Sequence, residues 1–464
     1  MAVRPSAALR RFAAVRRRPR PVIGSLFTAS VTARAASSLP CDIYGNAGAP
    51  CVAAYSSVRA LYSSYSGPLY QVTRSSDNAA LNVGVLSAGG YANAAAQDSF
   101  CSGTTCIITK IYDQSSQHND LTIAPARAAG PANVGATANA LPVTVGGQHV
   151  YGIYLPPHVG YRHPNGAGVA VNGQPETMYE VASGTNINNG CCSDFGNVES
   201  TETDTGASHM DALNLALLNA PGSINHGPWV EADLENGVFE GGTAVNTANL
   251  GNPGKFVTAL LKNNGQTTFA LKGGDATTGS LSTWYSGALP SGYSPMHQEG
   301  SIVLGTGGDN SNRGTQSFFE GVMTAGYSTD AADNAVQSNI VAAGYTGVST
   351  GGNLAVVQLW DCYTVMSFQP LARDQQWTLN SDGTLRTLGR CLDVDGNGTA
   401  PGTKVELYDC NGVGGQQWVP QANGSVLNPQ SGLCLDDPSG NTANGTQLQI
   451  WTCNNLSPQV FHFN

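Results

Sequence analysis

The chain has 464 residues, room for two or three domains, and only 11% are charged, against about 25% in an ordinary globular protein. Its 21 basic and 31 acidic residues give a formal charge of −10, the wrong sign for a nucleic-acid partner. No apolar run approaches the ~18 residues of a membrane span, and 57 glycines among short apolar runs point to an all-β, loop-rich protein.

Residues 1–35 carry eight arginines and no acid. A modest apolar stretch from Val22 to Val31 precedes Ala33-Arg34-Ala35, an A-x-A-like cleavage pattern. The segment reads as an export signal, and Arg10-Arg11-Phe12 leaves the twin-arginine route open. Removing it leaves 13 basic against 31 acidic residues, a charge of −18. All eleven cysteines follow the signal. Cys41 and Cys51 are ten apart, Cys101 and Cys106 five, Cys191 and Cys192 adjacent, and Cys391/Cys410 and Cys434/Cys453 nineteen each; Cys362 is left over. No C-x-x-C pair suggests a metal site, and the count fits an oxidising, extracellular location.

Residues 36–347 read as short strands between turn signals: Cys106–Tyr112, Lys255–Lys262, Thr267–Lys272, Ser301–Leu304 and Ser317–Val322. Helical spacing is confined to Val58, Leu61, Tyr62 and Tyr65, and to a helix over 333–343 capped by Asp330 or Asp333. Such a pattern predicts a β-sandwich.

Two stretches carry candidate chemistry. In Trp229-Val230-Glu231-Ala232-Asp233-Leu234-Glu235-Asn236, a strand would turn Val230, Ala232 and Leu234 to the core. Glu231, Asp233 and Glu235 would then line the other face beside Trp229, about 7 Å apart, raising at least one pKa by repulsion. An aromatic beside carboxylates suits a sugar. The second stretch, Gly305-Thr306-Gly307-Gly308-Asp309-Asn310-Ser311-Asn312, follows an apolar strand. Its glycines permit close backbone approach, and no G-K-[ST] makes it a phosphate loop.

Residues 348–464 contain a repeat of period 43. Cys391-Leu392-Asp393-Val394 and Cys434-Leu435-Asp436-Asp437 each lead, through a turn, to a strand ending in Cys410 or Cys453. Gln416-Gln417-Trp418 and Gln459-Val460-Phe461 follow. The unit resembles the ricin-type β-trefoil with its Q-x-W repeats, a carbohydrate-binding module. Only Gln358–Cys362 and Gln375-Gln376-Trp377 remain of the first repeat, so it looks incomplete. Asp393 with Tyr408, and Asp436 with Trp451, are the acid-plus-aromatic pairs expected to hold sugar, and Cys362 is expected to be a free thiol.

The larger domain resembles glycoside hydrolase family 54. The likeness rests on Leu39-Pro40-Cys41-Asp42-Ile43-Tyr44, Arg59-Ala60-Leu61-Tyr62-Ser63-Ser64, Ile111-Tyr112-Asp113-Gln114-Ser115, Cys191-Cys192, Thr203-Asp204-Thr205-Gly206, Gly308-Asp309-Asn310-Ser311-Asn312 and Phe319-Glu320-Gly321-Val322, in order over 39–345. The resemblance implies a retaining α-L-arabinofuranosidase acting on arabinoxylan or arabinan, with no cofactor and no metal. Glu235 is implied as nucleophile and Asp309 as acid/base. Asp233, Asn236 and the backbone near Gly308 would hold the sugar hydroxyls. The family usually carries a different, arabinose-binding trefoil, so the Q-x-W module leaves binding preference open. Neighbouring Cα atoms lie about 3.8 Å apart, short of the ~4.4–6.8 Å disulfide window, so pairing of Cys191 and Cys192 elsewhere stays open on geometry. The resemblance implies a Cys191–Cys192 bond forming a wall against the sugar. The other expected pairs are Cys41–Cys51, Cys101–Cys106, Cys391–Cys410 and Cys434–Cys453.

Other readings are a sandwich that binds sugar without catalysis, or another exo-glycosidase such as a β-xylosidase. Ser208-His209 lacks a G-x-S-x-G elbow. Asp393–Gly398 begins like a calcium loop but has Lys404 where a Glu is needed. Asn397, Asn423 and Asn444 stand in glycosylation sequons that also read as turns. A secreted monomer acting on plant cell-wall polysaccharide is expected.

Overall fold

The computed structural model describes residues 38–126, 132–185, 187–188, 190–216, 227–252, 254–346, 355–357, 359, 377–387, 390–408, 410–441 and 446–461. The expected export signal and Cys362 lie outside these residues.

Two antiparallel sheets face one another across a shared core. One has ten strands, in the spatial order Val238–Phe239, Trp229–Asp233, Asp211–Ala216, Asp194–Val198, Ser301–Thr306, Tyr161–His163, Leu121–Ile123, Cys106–Ile111, Pro68–Arg74 and Ala80–Gly84. The other has nine, running from Ser282–Ala288 through Thr268–Asp275, Val257–Asn263, Glu176–Ala182, Gln316–Ala325, Gln148–Leu155 and Leu141–Val145 to Tyr345–Thr346, with Cys51–Ser56 also paired to Gln316–Ala325. Phe195 of the first sheet meets Phe318 of the second with ring centroids 5.5 Å apart, an inter-sheet contact that burial and aromatic packing both favour. The five strands expected from sequence in this domain are all present, with ends shifted by one to three residues.

Helices depart further from expectation. The segment Val58–Tyr65 forms no helix; Pro40–Asn46 and Ala94–Phe100 do. Val58 and Leu61 are buried, so their spacing reports packing of an irregular chain. The expected C-terminal helix runs Asp330–Ala343, and its cap is Thr329, whose hydroxyl accepts from the Ala332 N–H at 3.2 Å. Asp330 and Asp333 occupy its first turn instead, where the helix dipole favours them. Asp333 also receives the ammonium groups of Lys262 (2.9 Å) and Lys272 (2.7 Å), pinning the helix to two neighbouring strands.

A second buried ion pair joins more distant segments. The Glu320 carboxylate takes Nη2 of Arg59 at 2.7 Å, the Tyr179 hydroxyl at 3.1 Å and the Tyr345 hydroxyl at 2.6 Å, and the Arg59 Nε bonds its other oxygen. Every partner is buried, so each donor is worth more than it would be in water.

The C-terminal part forms a five-stranded and a four-stranded sheet around Leu392, Val394, Val405, Trp418, Leu435 and Ile450. Among the described residues five disulfides are present: Cys41–Cys51, Cys101–Cys106, Cys191–Cys192, Cys391–Cys410 and Cys434–Cys453.

Glu320→Ala would strand the Arg59 guanidinium in the core, so a loss of about 3–5 kcal/mol is expected in denaturant unfolding. A loss under about 1 kcal/mol would show that this network does not hold the sandwich together.

Candidate active site

Strand register sorts the residues of the ten-stranded sheet between its faces. Asp194, Asn214 and Glu231 lie opposite one another across three strands, and Gly196, Ala212 and Asp233 form the next row. The intervening row, Phe195, Leu213 and Ala232, packs into the core. Glu231 and Asp233 therefore share the face opposite Val230 and Ala232, as alternation requires.

Glu235 is not part of that row. The strand ends at Asp233, and Leu234 to Gly237 close a tight turn in which the Leu234 N–H donates to the Gly237 carbonyl at 3.1 Å. Glu235 and Asn236 have φ of 62° and 58°, the left-handed pair that a type I′ hairpin demands. Asn adopts this conformation readily and Glu does not, so the turn holds the Glu235 backbone under strain. The turn is braced by the Ser208 N–H on the Leu234 carbonyl (2.8 Å) and by the Glu235 N–H on Asp233 Oδ1 (3.2 Å). Asn236 Nδ2 donates to Asp204 Oδ1 at 3.1 Å. Trp229 is no sugar platform, because it is 1% exposed. The aromatic beside the turn is Tyr293, stacked edge-on against Phe239 with centroids 4.9 Å apart.

Asp309 sits in a loop that begins where strand Ser301–Thr306 stops. The Gly307 N–H donates to the Ser311 carbonyl (2.8 Å), Asn310 to the Gly307 carbonyl (3.0 Å), and Ser311 to Asp309 Oδ1 (2.7 Å). At both glycines a Cβ would displace a neighbouring side-chain oxygen. A Cβ on Gly307 would lie 2.4 Å from Ser311 Oγ, and one on Gly308 would lie 1.8 Å from Glu199 Oε2. One buried guanidinium fixes the loop from beneath. Arg162 Nη1 donates to the Gly308 carbonyl (2.7 Å) and to Asn310 Oδ1 (3.1 Å), while its Nη2 reaches the Glu199 carbonyl and the Thr201 carbonyl (2.8 Å).

Carboxyl groups crowd this face. Burial first, then the Glu199 hydrogen bond and the charges of Glu199, Asp233 and Asp204, push Glu235 up to about 10. Burial pushes Asp233 up to about 7, helped by Glu199 and Asp309 and opposed by the Glu235 N–H. Asp194 and Glu199 are raised as well, in both cases chiefly by burial. Oxygens of Glu199, Asp204 and Glu235 lie within 4.8 Å of one another, so their negative charges repel. Cys192 Sγ is 3.7 Å from Asp233 Oδ2, which sets the disulfide beside the carboxyls. The arrangement offers groups able to carry a proton and others able to attack an electrophilic carbon. Sequence reasoning singled out Asp233, Glu235, Asn236, Gly308, Asp309, Cys191 and Cys192, and missed Arg162, Asp194, Glu199 and Tyr293.

In the trefoil-like part the repeat has a geometric meaning. Gln416 Nε2 donates to Asp393 Oδ2 (2.9 Å), and Gln459 Nε2 donates to Asp436 Oδ1 (3.0 Å). Trp418 Nε1 bonds the Leu392 carbonyl at 2.9 Å. Both aspartates are therefore buried behind their glutamines. Asp436 also accepts from Gln449 Nε2 at 2.9 Å, whereas Asp393 Oδ1 has no partner among the described residues. Tyr408 is partly exposed, and Trp451 is 43% exposed.

The family model described as "Alpha-L-arabinofuranosidase B, catalytic" matches residues 40–346. The chain belongs to that family. The model of the ricin-type beta-trefoil lectin domain matches residues 346–461. A probable alpha-L-arabinofuranosidase B of Aspergillus terreus is 52% identical over 330 residues, 68% of this chain and 65% of that relative. The alpha-L-arabinofuranosidase B of Emericella nidulans is 50% identical over 322 residues, 67% of this chain and 62% of the relative. The match thus spans less than two thirds of each relative's length. A crystal structure of an arabinofuranosidase complexed with arabinofuranosyl-α-1,2-xylobiose is 35% identical, with a TM-score of 0.67, covering 89% of this chain and 99% of the other.

Raised carboxyl pKa values make stability depend on pH. Burial lifts Glu180, bonded to Gln316 Nε2, to about 8, Asp233 to about 7 and Asp211 to about 6. The folded chain then keeps protons that the unfolded chain releases, and the stabilisation they give is lost as pH rises through 6 to 8. The melting temperature is expected to fall from pH 5 to pH 8 and more gently above, where Glu235 still holds its proton, each group adding at most ~1.4 kcal/mol per pH unit. Glu180→Gln should flatten the upper part of that slope in calorimetry; an unchanged slope would remove Glu180 from the account.

Proposed function

We propose that the protein is an exported, exo-acting α-L-arabinofuranosidase that works with retention and releases arabinofuranosyl side chains from arabinoxylan or arabinan. The observation that carries this reading is the placing of Glu235 and Asn236 in a left-handed turn, with the Asp309 loop tied by Arg162 to the backbone of Glu199, a carboxyl neighbour of Glu235. Family membership supplies the sugar, and the names of the relatives agree with it.

In the first step Glu235 Oε forms a bond to the anomeric carbon as the glycosidic bond breaks, and Asp309 gives its proton to the departing oxygen. Water, deprotonated by Asp309, then cleaves the glycosyl ester and restores Glu235. Such double displacement calls for carboxyls about 5–5.5 Å apart. Asp233, Asn236 and the Gly308 backbone would bind hydroxyls, and the Cys191–Cys192 disulfide would wall the furanose. Glu235→Gln should abolish turnover on every substrate. Asp309→Asn should lose little on aryl arabinosides with good leaving groups and at least about 100-fold on polysaccharide. Equal losses on both substrates would reject Asp309 as the acid.

A Trichoderma koningii relative, 52% identical over 318 residues, is named "Arabinofuranosidase/B-xylosidase". That name favours β-xylosidase activity as a second reading. Turnover of aryl β-D-xylosides relative to α-L-arabinofuranosides decides it.

For the lectin-like part we infer weak polysaccharide binding at Asp393 with Tyr408, supported by the uncommitted Asp393 Oδ1 and the partial exposure of Tyr408. Asp436 has both oxygens occupied, which leaves Trp451 as the stacking group of its repeat. In affinity electrophoresis on xylan, Asp393→Ala should weaken retention more than Asp436→Ala. The reverse order would place the main subsite in the last repeat.

A further inference from the structure

Glu199 lies beside the Glu235 carboxyl and against Gly308, the residue before Asp309, and no role in the reaction given so far requires it. It is the first residue after strand Asp194–Val198 and is fully buried. One of its oxygens occupies the space that a Cβ on Gly308 would take, so a larger residue there would displace the Glu199 carboxyl. A carboxyl oxygen of Glu199 also lies within 4.8 Å of oxygens of Glu235 and Asp204. Beyond Glu235 and its own backbone N–H, the Glu199 carboxyl has no hydrogen-bond partner among the described residues. A buried carboxylate so short of donors is costly, and the side-chain groups facing this one, Glu235 and Asp204, are themselves acids. The nearby cation, Arg162, spends its Nη1 and Nη2 donors on oxygens of Gly308, Asn310 and Thr201 and on the backbone carbonyl of Glu199, not on its carboxyl. Glu299, which also acts on Glu199, adds further negative charge and is occupied by Ser200, Thr205 and His209.

We propose that Glu199 is a positioning residue that stays neutral and donates its proton in a hydrogen bond to the Glu235 carboxylate. The shared proton satisfies both carboxyls with one atom and lets Glu235 remain an anion among acids. Because Glu199 packs on Gly308, the same bond also sets the spacing between the Glu235 turn and the Asp309 loop. The proposal rests on the assignment of Glu235 as nucleophile. Burial raises both carboxyls of the pair; Glu235 reaches about 10 with an ionised Glu199 bonded beside it, and a proton held on Glu199 relieves that rise.

The test compares two variants with the full-length wild type on an aryl α-L-arabinofuranoside across pH. Glu199→Gln keeps a donor of the same shape and should stay within about tenfold of wild type in kcat, with the acid limb of kcat/KM unmoved. Glu199→Ala removes the donor; kcat should fall roughly 10- to 100-fold with KM nearly constant, and the acid limb should move to higher pH because Glu235 ionises less readily. Equal loss in both variants, or an unmoved acid limb in Glu199→Ala, would overturn the proposal. A wild type inactive on arabinofuranosides would instead overturn the functional reading. The proton itself is then read by NMR of carboxyl-13C glutamate. The wild type should show a glutamic acid signal, protonated at neutral pH, that Glu199→Gln abolishes; its persistence in Glu199→Gln would overturn the assignment.

Discussion

The site depends on one buried cation. Arg162 projects from the middle of the ten-stranded sheet and bonds to the backbone or side chains of Glu199, Thr201, Gly308 and Asn310, joining the loop that carries Asp309 to the segment that follows strand Asp194–Val198. A planar guanidinium with donors in a fixed fork suits this task, because it sets direction as well as distance. Lysine would supply the charge without the geometry. Much of the strain in the Glu235 turn and much of the close packing at Gly307 and Gly308 make sense only if this frame is rigid.

Legibility in the sequence followed the range of the interactions. Alternation placed Val230 and Ala232 against the core and Glu231 and Asp233 on the other face, because strand geometry is local. It failed at Glu235, where two left-handed residues end the strand and lift the side chain out of the row. The Asn236-Gly237 dipeptide was the available signal, since Asn-Gly is hairpin chemistry. Arg162 and Glu199 were invisible for a different reason. Their meaning comes from partners as far as 148 residues away in the chain, and no spacing rule spans that distance.

Motifs that identify a family are not all chemistry. Arg59 and Glu320 belong to two of the stretches that carried the resemblance, yet they form a buried pair that ties together strands and the segment after the C-terminal helix. Asp113, in a third, accepts from the backbone N–H groups of Ala54, Ser115 and Asn119 at 2.8 to 2.9 Å. It therefore organises a loop. The glutamines of the Q-x-W repeat likewise pin an aspartate in each unit. Reading such residues as ligand contacts would overpopulate both sites.

The crowding of acids has a physical logic of its own. In the proposed reaction positive charge develops on a sugar ring, and a face bearing Asp194, Glu231 and Asp233, with Glu199, Asp204 and Glu235 beside it, would supply a negative field for it. Left to themselves, six neighbouring carboxylates would repel one another and destabilise the sheet. Protons retained by buried members relieve that repulsion, as the upward shifts of Asp194, Glu199 and Asp233 indicate. A developing cation can then draw on charge that the empty site keeps partly neutralised. The same design ties stability to acidic or neutral conditions, because each proton lost at higher pH returns repulsion to the fold. Stability and the electrostatics of catalysis therefore rest on the same protons, and a substitution that removes one acid changes both.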